Sequence, residues 1–488
     1  MSGHRWSVRT SRLGPIALAF CKQTTLVAPV LIANMLGGCA SFSPDGGMSA
    51  VKSTVALDLR NDALKVSTDE GDTEARVRVL QLLRSTLSPD AAVRVALLNN
   101  KGLQAAYNEL GIAEAVMVEA SLPPNPTFSL SPISTPVELD IEARIVADVL
   151  ALVTLPARAE IATERFRQAQ LRAAEETLRV GFETRLSYFR AVAVVEVVAA
   201  LTQAVSAAEA AAKLAKQLGE TGAMNKLDQA REDAFHADLI TQLAAARKRA
   251  VSERERLIRI LGLLGSELAF KLPQTLPVLP SRPRSLVAVE TEAIRRRVDL
   301  QIARIEADAL AKSYGLTKAT RFINLLEVSG VSRTQREGGV SGTGGGVEVD
   351  FQVPIFDFGE VRLRQAGEAY MQAVNRLTEK AVNVRSEARE AYQSYRSSYD
   401  IAHHYGAEVL PLRKIISDET MLRYGAMQID VFSLLTEAQR RIAANIAAIE
   451  AQRDFWLATT DLDAAVVGGG VVTSDNPMTS PADTTANK

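Results

Sequence analysis

Along residues 347–353 the chain alternates strictly: Val347, Val349, Phe351 and Val353 are apolar, while Glu348, Asp350 and Gln352 are polar. A period of two is the signature of a strand with one apolar and one wet face. Beyond Gly359 the apolar residues recur at helical spacing, and no proline interrupts them until Pro411. A strand is therefore expected to feed directly into a long helix. The same grammar occurs earlier. Leu139, Ile141, Ala143, Ile145, Ala147 and Val149 alternate with mostly polar residues, and a helical pattern follows from Pro156.

These two passages belong to a longer repetition. "GAMNKLDQARE" begins at Gly222 and "GAMQIDVFSLLTEAQRR" at Gly425, a separation of 425 minus 222, or 203 residues. The same offset carries Pro156 onto Gly359. A common offset between independent matches suggests tandem duplication of one unit. In the first copy, at 91–270, the pattern predicts a helix over 91–119, strands near 127–131 and 139–155, and helices over 156–218 and 226–264. In the second, at 285–467, it predicts a helix over 285–314, strands at 322–332 and 347–353, a helix to residue 422, a break at Gly425 and a helix to 465. The glycine-rich "RTQREGGVSGTGGG" between the last two strands is expected as a loop, and Ser341 falls within it. No Lys-Ser/Thr pair follows those glycines, so they carry no phosphate-binding pattern. A proline-rich connector, "KLPQTLPVLPSRPR" at 271–284, separates the copies, and a Gly, Ser, Thr and Asp-rich tail at 468–488 reads as disordered.

Lengths constrain what these elements can build. A continuous helix over 359–422 spans roughly 95 Å, too long for a compact globule. Alanine-rich stretches such as "VVAALTQAVSAAEAAAKLAKQL" permit close lateral packing of such rods. Two-stranded hairpins, by contrast, are marginal alone in water. Four strands are too few to close a barrel, which leaves closure by oligomerisation.

Composition narrows the class. With 56 basic and 57 acidic residues, the 488-residue chain shows no polyelectrolyte signal for nucleic acid. No run of roughly 20 apolar residues is apparent in its body, which argues against an ordinary helical membrane protein and says nothing against a barrel. At the N-terminus, Arg5, Arg9 and Arg12 precede an apolar stretch that ends in "NMLGGCASF". This is the pattern of a secretory signal over 1–38. Leu36, Gly37, Gly38 and Cys39 match the bacterial lipobox, whose cysteine is diacylated and becomes the first mature residue. Cys21 would then leave with the signal and Cys39 would carry lipid, so no thiol remains for a disulfide, metal or nucleophile. Residues 39–90 form an N-terminal segment before the first copy.

Lipobox, duplicated helix-strand-strand-helix unit, "VPIFDFGEVRLR" and "RYGAMQIDVFSLLTEAQ" together resemble the TolC family of outer-membrane efflux proteins. The resemblance implies a mainly helical fold with β: long periplasmic helices plus four strands per chain. It implies a homotrimer whose 12-stranded outer-membrane barrel continues as a helical barrel. It further implies a conduit that receives substrate from an inner-membrane pump, of the resistance, nodulation and division type, through a periplasmic adaptor. Ala40 after the lipidated cysteine implies sorting to the outer membrane. The first hairpin departs from the family form: it contains Pro132 and Pro136, and "LVTLPARAEIA" replaces a full "PIFDFG".

A conduit needs no nucleophile, and no triad, cofactor or metal pattern stands out. His4 lies in the signal, His236 is alone, and the adjacent His403 and His404 point about 100 degrees apart on a helix, unlike a chelating i, i+4 pair. In the family, helix-turn-helix tips converge at the periplasmic end, where acidic residues narrow the pore. The resemblance places Asp430 at that constriction, with Asp228 as its counterpart in the first copy and Ser433 where some relatives carry a second aspartate. Asp430 is equally readable as a helix cap. Gly222 and Gly425 would permit the turns, and Arg423 and Tyr424 would shape the surface that meets the pump or adaptor. The competing reading is a periplasmic coiled-coil adaptor or structural lipoprotein without a pore. It would carry one helical hairpin flanked by compact β domains rather than two copies.

Overall fold

A computed structural model describes residues 41–59, 64–66, 69–134, 138–222, 224–285, 288–337 and 340–469. The signal segment, Cys39, Pro136 and nearly all of the tail lie outside them. The chain order is α1 (Met48–Leu59), α2 (Asp69–Leu83), α3 (Pro89–Asn99), α4 (Lys101–Ser121), β1 (Thr127–Ser134), β2 (Glu138–Asp148), α5 (Val149–Glu220) and α6 (Lys226–Leu261). After a short 3-10 turn come α7 (Val289–Arg296), α8 (Val298–Ala319), β3 (Leu325–Glu337), β4 (Val340–Gln352), α9 (Glu360–His404), α10 (Leu410–Gly425) and α11 (Val431–Val467). Helix pair, hairpin, long helix and returning helix therefore follow one another twice.

Several boundaries moved for local reasons. The alternation of the first hairpin continues only to Asp148, whose carboxylate accepts the Ala151 N–H at 2.8 Å and starts α5 there. Pro156, expected as the first helical residue, lies inside α5, early enough that few helical hydrogen bonds precede it. The single helices expected before each hairpin are each broken once. Asn100 divides α3 from α4 by accepting the Leu103 N–H at 3.0 Å, and Arg297 divides α7 from α8. The helix expected to run unbroken to 422 widens into a π turn at Tyr405–Val409. Pro411 has no N–H for the helical ladder, and the Leu410 N–H reaches back to the Tyr405 carbonyl.

The glycine-rich stretch is strand rather than loop. β3 and β4 pair along thirteen residues each, Gly342, Gly344 and Gly346 included, and Ser341 sits opposite Arg336 near the hairpin end. β1 likewise extends past Pro132, which pairs with Ile141 on an edge strand, where a missing N–H costs no ladder bond. The four strands form one antiparallel sheet in the order β1-β2-β3-β4, so the hairpins of the two copies join through β2 and β3. The outer edges of β1 and β4 are unpaired.

At 72 residues, α5 is about 108 Å long. By length and composition alone it is apolar enough to cross a membrane. Its stripe of Leu201, Ala204 and Ala208 packs instead on Leu239, Leu243 and Ala246 of α6. Midway along the rods, α1 to α4 and α7 wrap α5, α9 and α11 in a collar, the main apolar core. Val55, Leu97, Leu103 and Leu178 are completely buried there. Both buried tyrosine hydroxyls there are satisfied: Tyr107 pairs with Thr177 at 2.9 Å and Tyr188 donates to the Leu87 carbonyl at 2.9 Å. Helices α1 and α2 were not legible in the sequence, since α2 in particular is mostly polar.

Candidate channel wall and helical tips

The sheet divides its residues by strand parity. Phe128, Ile145, Gly330 and Val347 form one cross-strand row, and Leu326 and Phe351 another, all on one face. Asp140, Glu142, Arg144, Arg333 and Glu348 occupy the other. On the polar face Asp140 takes a bidentate hydrogen-bond pair from Arg333, and Arg144 meets Glu348 at 2.8 Å. Large apolar side chains of the first face are left uncovered by the chain. Phe128, Val347 and Phe351 are 71%, 76% and 67% exposed, whereas Asp140 on the charged face is 7% exposed and Ser329 fully buried. An apolar face turned outward on a sheet with free edges needs lipid, other chains or both to cover it.

Where the sheet gives way to the rods, backbone geometry is special. Gly359 adopts φ 72°, and a Cβ there would lie 2.1 Å from the Arg321 carbonyl oxygen. Phe358 before it is also left-handed, with φ 48°. The glycine of "FDFG" thus lets the start of α9 press against the end of α8. Ile355, Phe356 and Phe358 of the same stretch are exposed.

At the far end of the rods, two turns reverse the chain. In the first, Gly222 takes the left-handed conformation at φ 76° and Asn225 caps α6, accepting the Asp228 N–H at 2.9 Å. In the second, Gly425 is still helical. The left-handed residue is Met427, at φ 58°, and the Gln428 N–H closes the turn on the Arg423 carbonyl at 2.9 Å. A non-glycine residue there costs roughly 1–2 kcal/mol, a cost the sequence does not advertise. Asp430 caps α11, accepting the Ser433 N–H at 2.8 Å. By position in the turn, the counterpart of Asp430 is therefore Asn225, and Asp228 corresponds to Ser433.

The capping bonds also set the charge of the tip. Hydrogen bonds from Ser433 hold the exposed Asp430 carboxyl below its usual range, so it is ionised at neutral pH. Asp228 pairs with Arg231 at 3.0 Å, and the Arg231 guanidinium lies 5.1 Å from the Phe432 ring, tying the first tip to the second. Arg423 is exposed and pairs with Glu419 at 3.1 Å, while Tyr424 is half-buried. One turn further on, burial and the charges of Asp228 and Asp233 raise the pKa of Glu232. His404 contacts Glu408 at 3.2 Å and His403 stacks on Tyr399. No cluster of three metal-ligating side chains occurs among the described residues.

Comparison with solved structures is informative where sequence comparison is not. No protein-family model and no curated protein matches the chain. The structure, however, superposes on CusC, whose crystal structures concern transmembrane channel formation, with a TM-score of 0.66 at 16% identity, covering 78% of this chain and 91% of that one. The fold is that of the outer-membrane channels. The CmeC outer-membrane channel of Campylobacter jejuni superposes with a TM-score of 0.67 at 17% identity over 78% and 86% of the two chains. For the open-state MtrE outer-membrane channel of Neisseria gonorrhoeae the values are 0.64, 14%, 80% and 89%. The resemblance to the TolC family read from the sequence holds at the level of fold.

Proposed function

We propose that the chain is the outer-membrane channel of a tripartite efflux system. It works as a homotrimer, with three copies of the four-stranded sheet closing a 12-stranded barrel and the rods continuing it as a helical tunnel into the periplasm. The observation that carries this reading is the sheet's exposed apolar face together with its two free edges: lipid covers the apolar face, neighbouring copies pair the edges, and the charged face lines water. Strands of eleven and thirteen residues in β2, β3 and β4 suffice to cross the hydrocarbon layer when tilted. In this reading Cys39 carries diacylglycerol and palmitate and anchors the chain in the outer membrane. The tips receive substrate from an inner-membrane pump of the resistance, nodulation and division type and its periplasmic adaptor, with Arg423 and Tyr424 on the meeting surface. Asp430 of each copy faces the axis at the constriction. Its capping bonds keep it ionised, and it carries the ring alone because Ser433 adds no charge and Asp228 is neutralised by Arg231. No catalytic step is assigned. A pore-less adaptor is not favoured, because the chain has two long helical hairpins and a membrane-compatible sheet rather than one hairpin flanked by compact β domains.

The test uses Ser341→Cys, near the hairpin end of β4, in a mature lipoprotein with no other free thiol. Treatment of intact cells with a membrane-impermeant maleimide labels this cysteine if the hairpin end reaches the cell surface. Labelling only after the outer membrane is opened would place the hairpin in the periplasm and overturn the channel.

A further inference from the structure

The N-terminal segment lies along α5, and its contacts fix its direction. Leu59, at the end of α1, sits so close to Gly181 that a Cβ on that glycine would lie 2.8 Å from the leucine side chain. Gly47, just before α1, meets α5 at Phe166, where a Cβ would lie 2.7 Å from the ring. From Leu59 back to Gly47 the chain therefore climbs α5 towards the sheet. Ser43 then ties it to α4: its N–H donates to the buried Glu114 carboxylate at 2.6 Å, and its hydroxyl accepts the Gly47 N–H at 2.8 Å.

The furrow that holds this segment continues beyond it. On the sheet side of Glu114 and Phe166, α4 and α5 enclose a mainly apolar groove of about 450 Å³. Val116, Met117 and Ala120 of α4 form one wall, and Ile161, Ala162 and Phe166 of α5 form the other. Val116 is 56% exposed, so the described residues leave that wall open. The length of chain ahead of Ser43 says what lies nearest to the opening. Cys39 precedes Ser43 by four residues, a stretch that spans at most about 14 Å. From Phe166 to Arg158, along the groove, α5 rises about 12 Å. A lipid carried by Cys39 therefore starts within reach of the groove.

We propose that one acyl chain of the lipid on Cys39 seats in this groove while the others enter the leaflet. Its methylene groups and the side chains of Val116, Met117, Ile161 and Phe166 leave water together. The lipid then wedges α4 against α5 at the foot of the sheet, in addition to holding the chain on the membrane. This inference rests on the lipidation of Cys39 in the proposed function and needs no open pore.

The experiment feeds cells that express the full-length lipoprotein a palmitate analogue with a diazirine near its methyl end, illuminates them and maps crosslinks by mass spectrometry. Crosslinks are expected on peptides holding residues 113–120 and 158–166. Ala120→Trp, which fills the groove, lowers their yield severalfold. Val116→Lys, at a side chain the fold leaves exposed, is the second variant and gives the same loss. Lipidated protein whose crosslinks fall only on other segments, or only on membrane lipids, overturns the seat and leaves the anchor standing. A mature N-terminal peptide without lipid overturns both. The rival occupant is a free phospholipid, whose phosphate Arg158 and Arg165 at the border of the groove would suit. A Cys39→Ser chain exported by an ordinary cleavable signal separates the two sources. Its groove crosslinks vanish if the lipid on Cys39 is the occupant, and their persistence overturns the proposal in favour of the phospholipid.

Discussion

The collar and the sheet follow opposite rules with the same kinds of residue. In the collar, Val55, Leu97 and Leu103 are sealed from solvent, and carboxylates buried near them are partnered, Glu114 by the Ser43 N–H and Asp299 by Arg297. In the sheet, Val347, Phe128 and Phe351 are the exposed side chains and Asp140 is among the buried ones. The hydrophobic effect has the same sign in both regions, and what differs is how the apolar side chains are covered. The collar covers its own within the chain, and under the proposed channel lipid would cover those of the sheet. Gly359 stands where the two regions meet.

That boundary gives the largest expected effect. Gly359→Ala places a methyl group on the Arg321 carbonyl and forces a non-glycine residue into φ 72°. A loss of about 3 kcal/mol or more is expected, read as a lower yield of folded protein and a lower melting temperature. Substitutions on either side sharpen the contrast. Leu97→Ala in the collar costs about 2–5 kcal/mol through its cavity. Val347→Lys costs about 2–4 kcal/mol if the side chain meets the bilayer midplane and almost nothing if it meets water. Denaturant melting in bilayers of the lysine variant therefore decides which medium covers that face.

Smaller effects belong to the tips. Asn225→Ala removes the cap of α6 and should cost about 1 kcal/mol, whereas Met427→Gly relieves a left-handed side chain and should gain about 1 kcal/mol. The smallest effect is that of pH. Hydrogen bonds lower the pKa of Asp430 in the folded chain, so its stabilising contribution is present above the unfolded value of 3.8 and fades as pH falls through the lower folded value. Asp430→Ala should flatten the acid limb of the stability curve slightly, and an unchanged limb would show that the cap does not contribute.

The repeat, the strand-to-helix passages and the tips were legible because each rests on local periodicity or on turn residues. The glycine-rich stretch reads as a loop for the same reason. Gly342, Gly344 and Gly346 have poor strand propensity, and only pairing with β3 holds them in the sheet. Pro156 reads as a helix start because proline is common there, yet the Asp148 cap acts eight residues earlier. The equivalence of Asp430 with Asp228 failed by one helical turn, since sequence offsets do not know which side chain accepts the capping hydrogen bond.

By itself, the sequence determined where the long rods and the alternating parts of the strands lie, that they occur twice, and that the two faces of β2 and β4 differ in polarity. Those properties follow from periods of two and 3.6 that neighbouring residues fix among themselves. Only the tertiary structure decided that the hairpins join through β2 and β3, that the apolar face is left uncovered by the chain, and that Asp148, Glu327 and Asp350 share a row. Register and the choice of face depend on pairings between residues nearly 200 positions apart, and no local pattern encodes them.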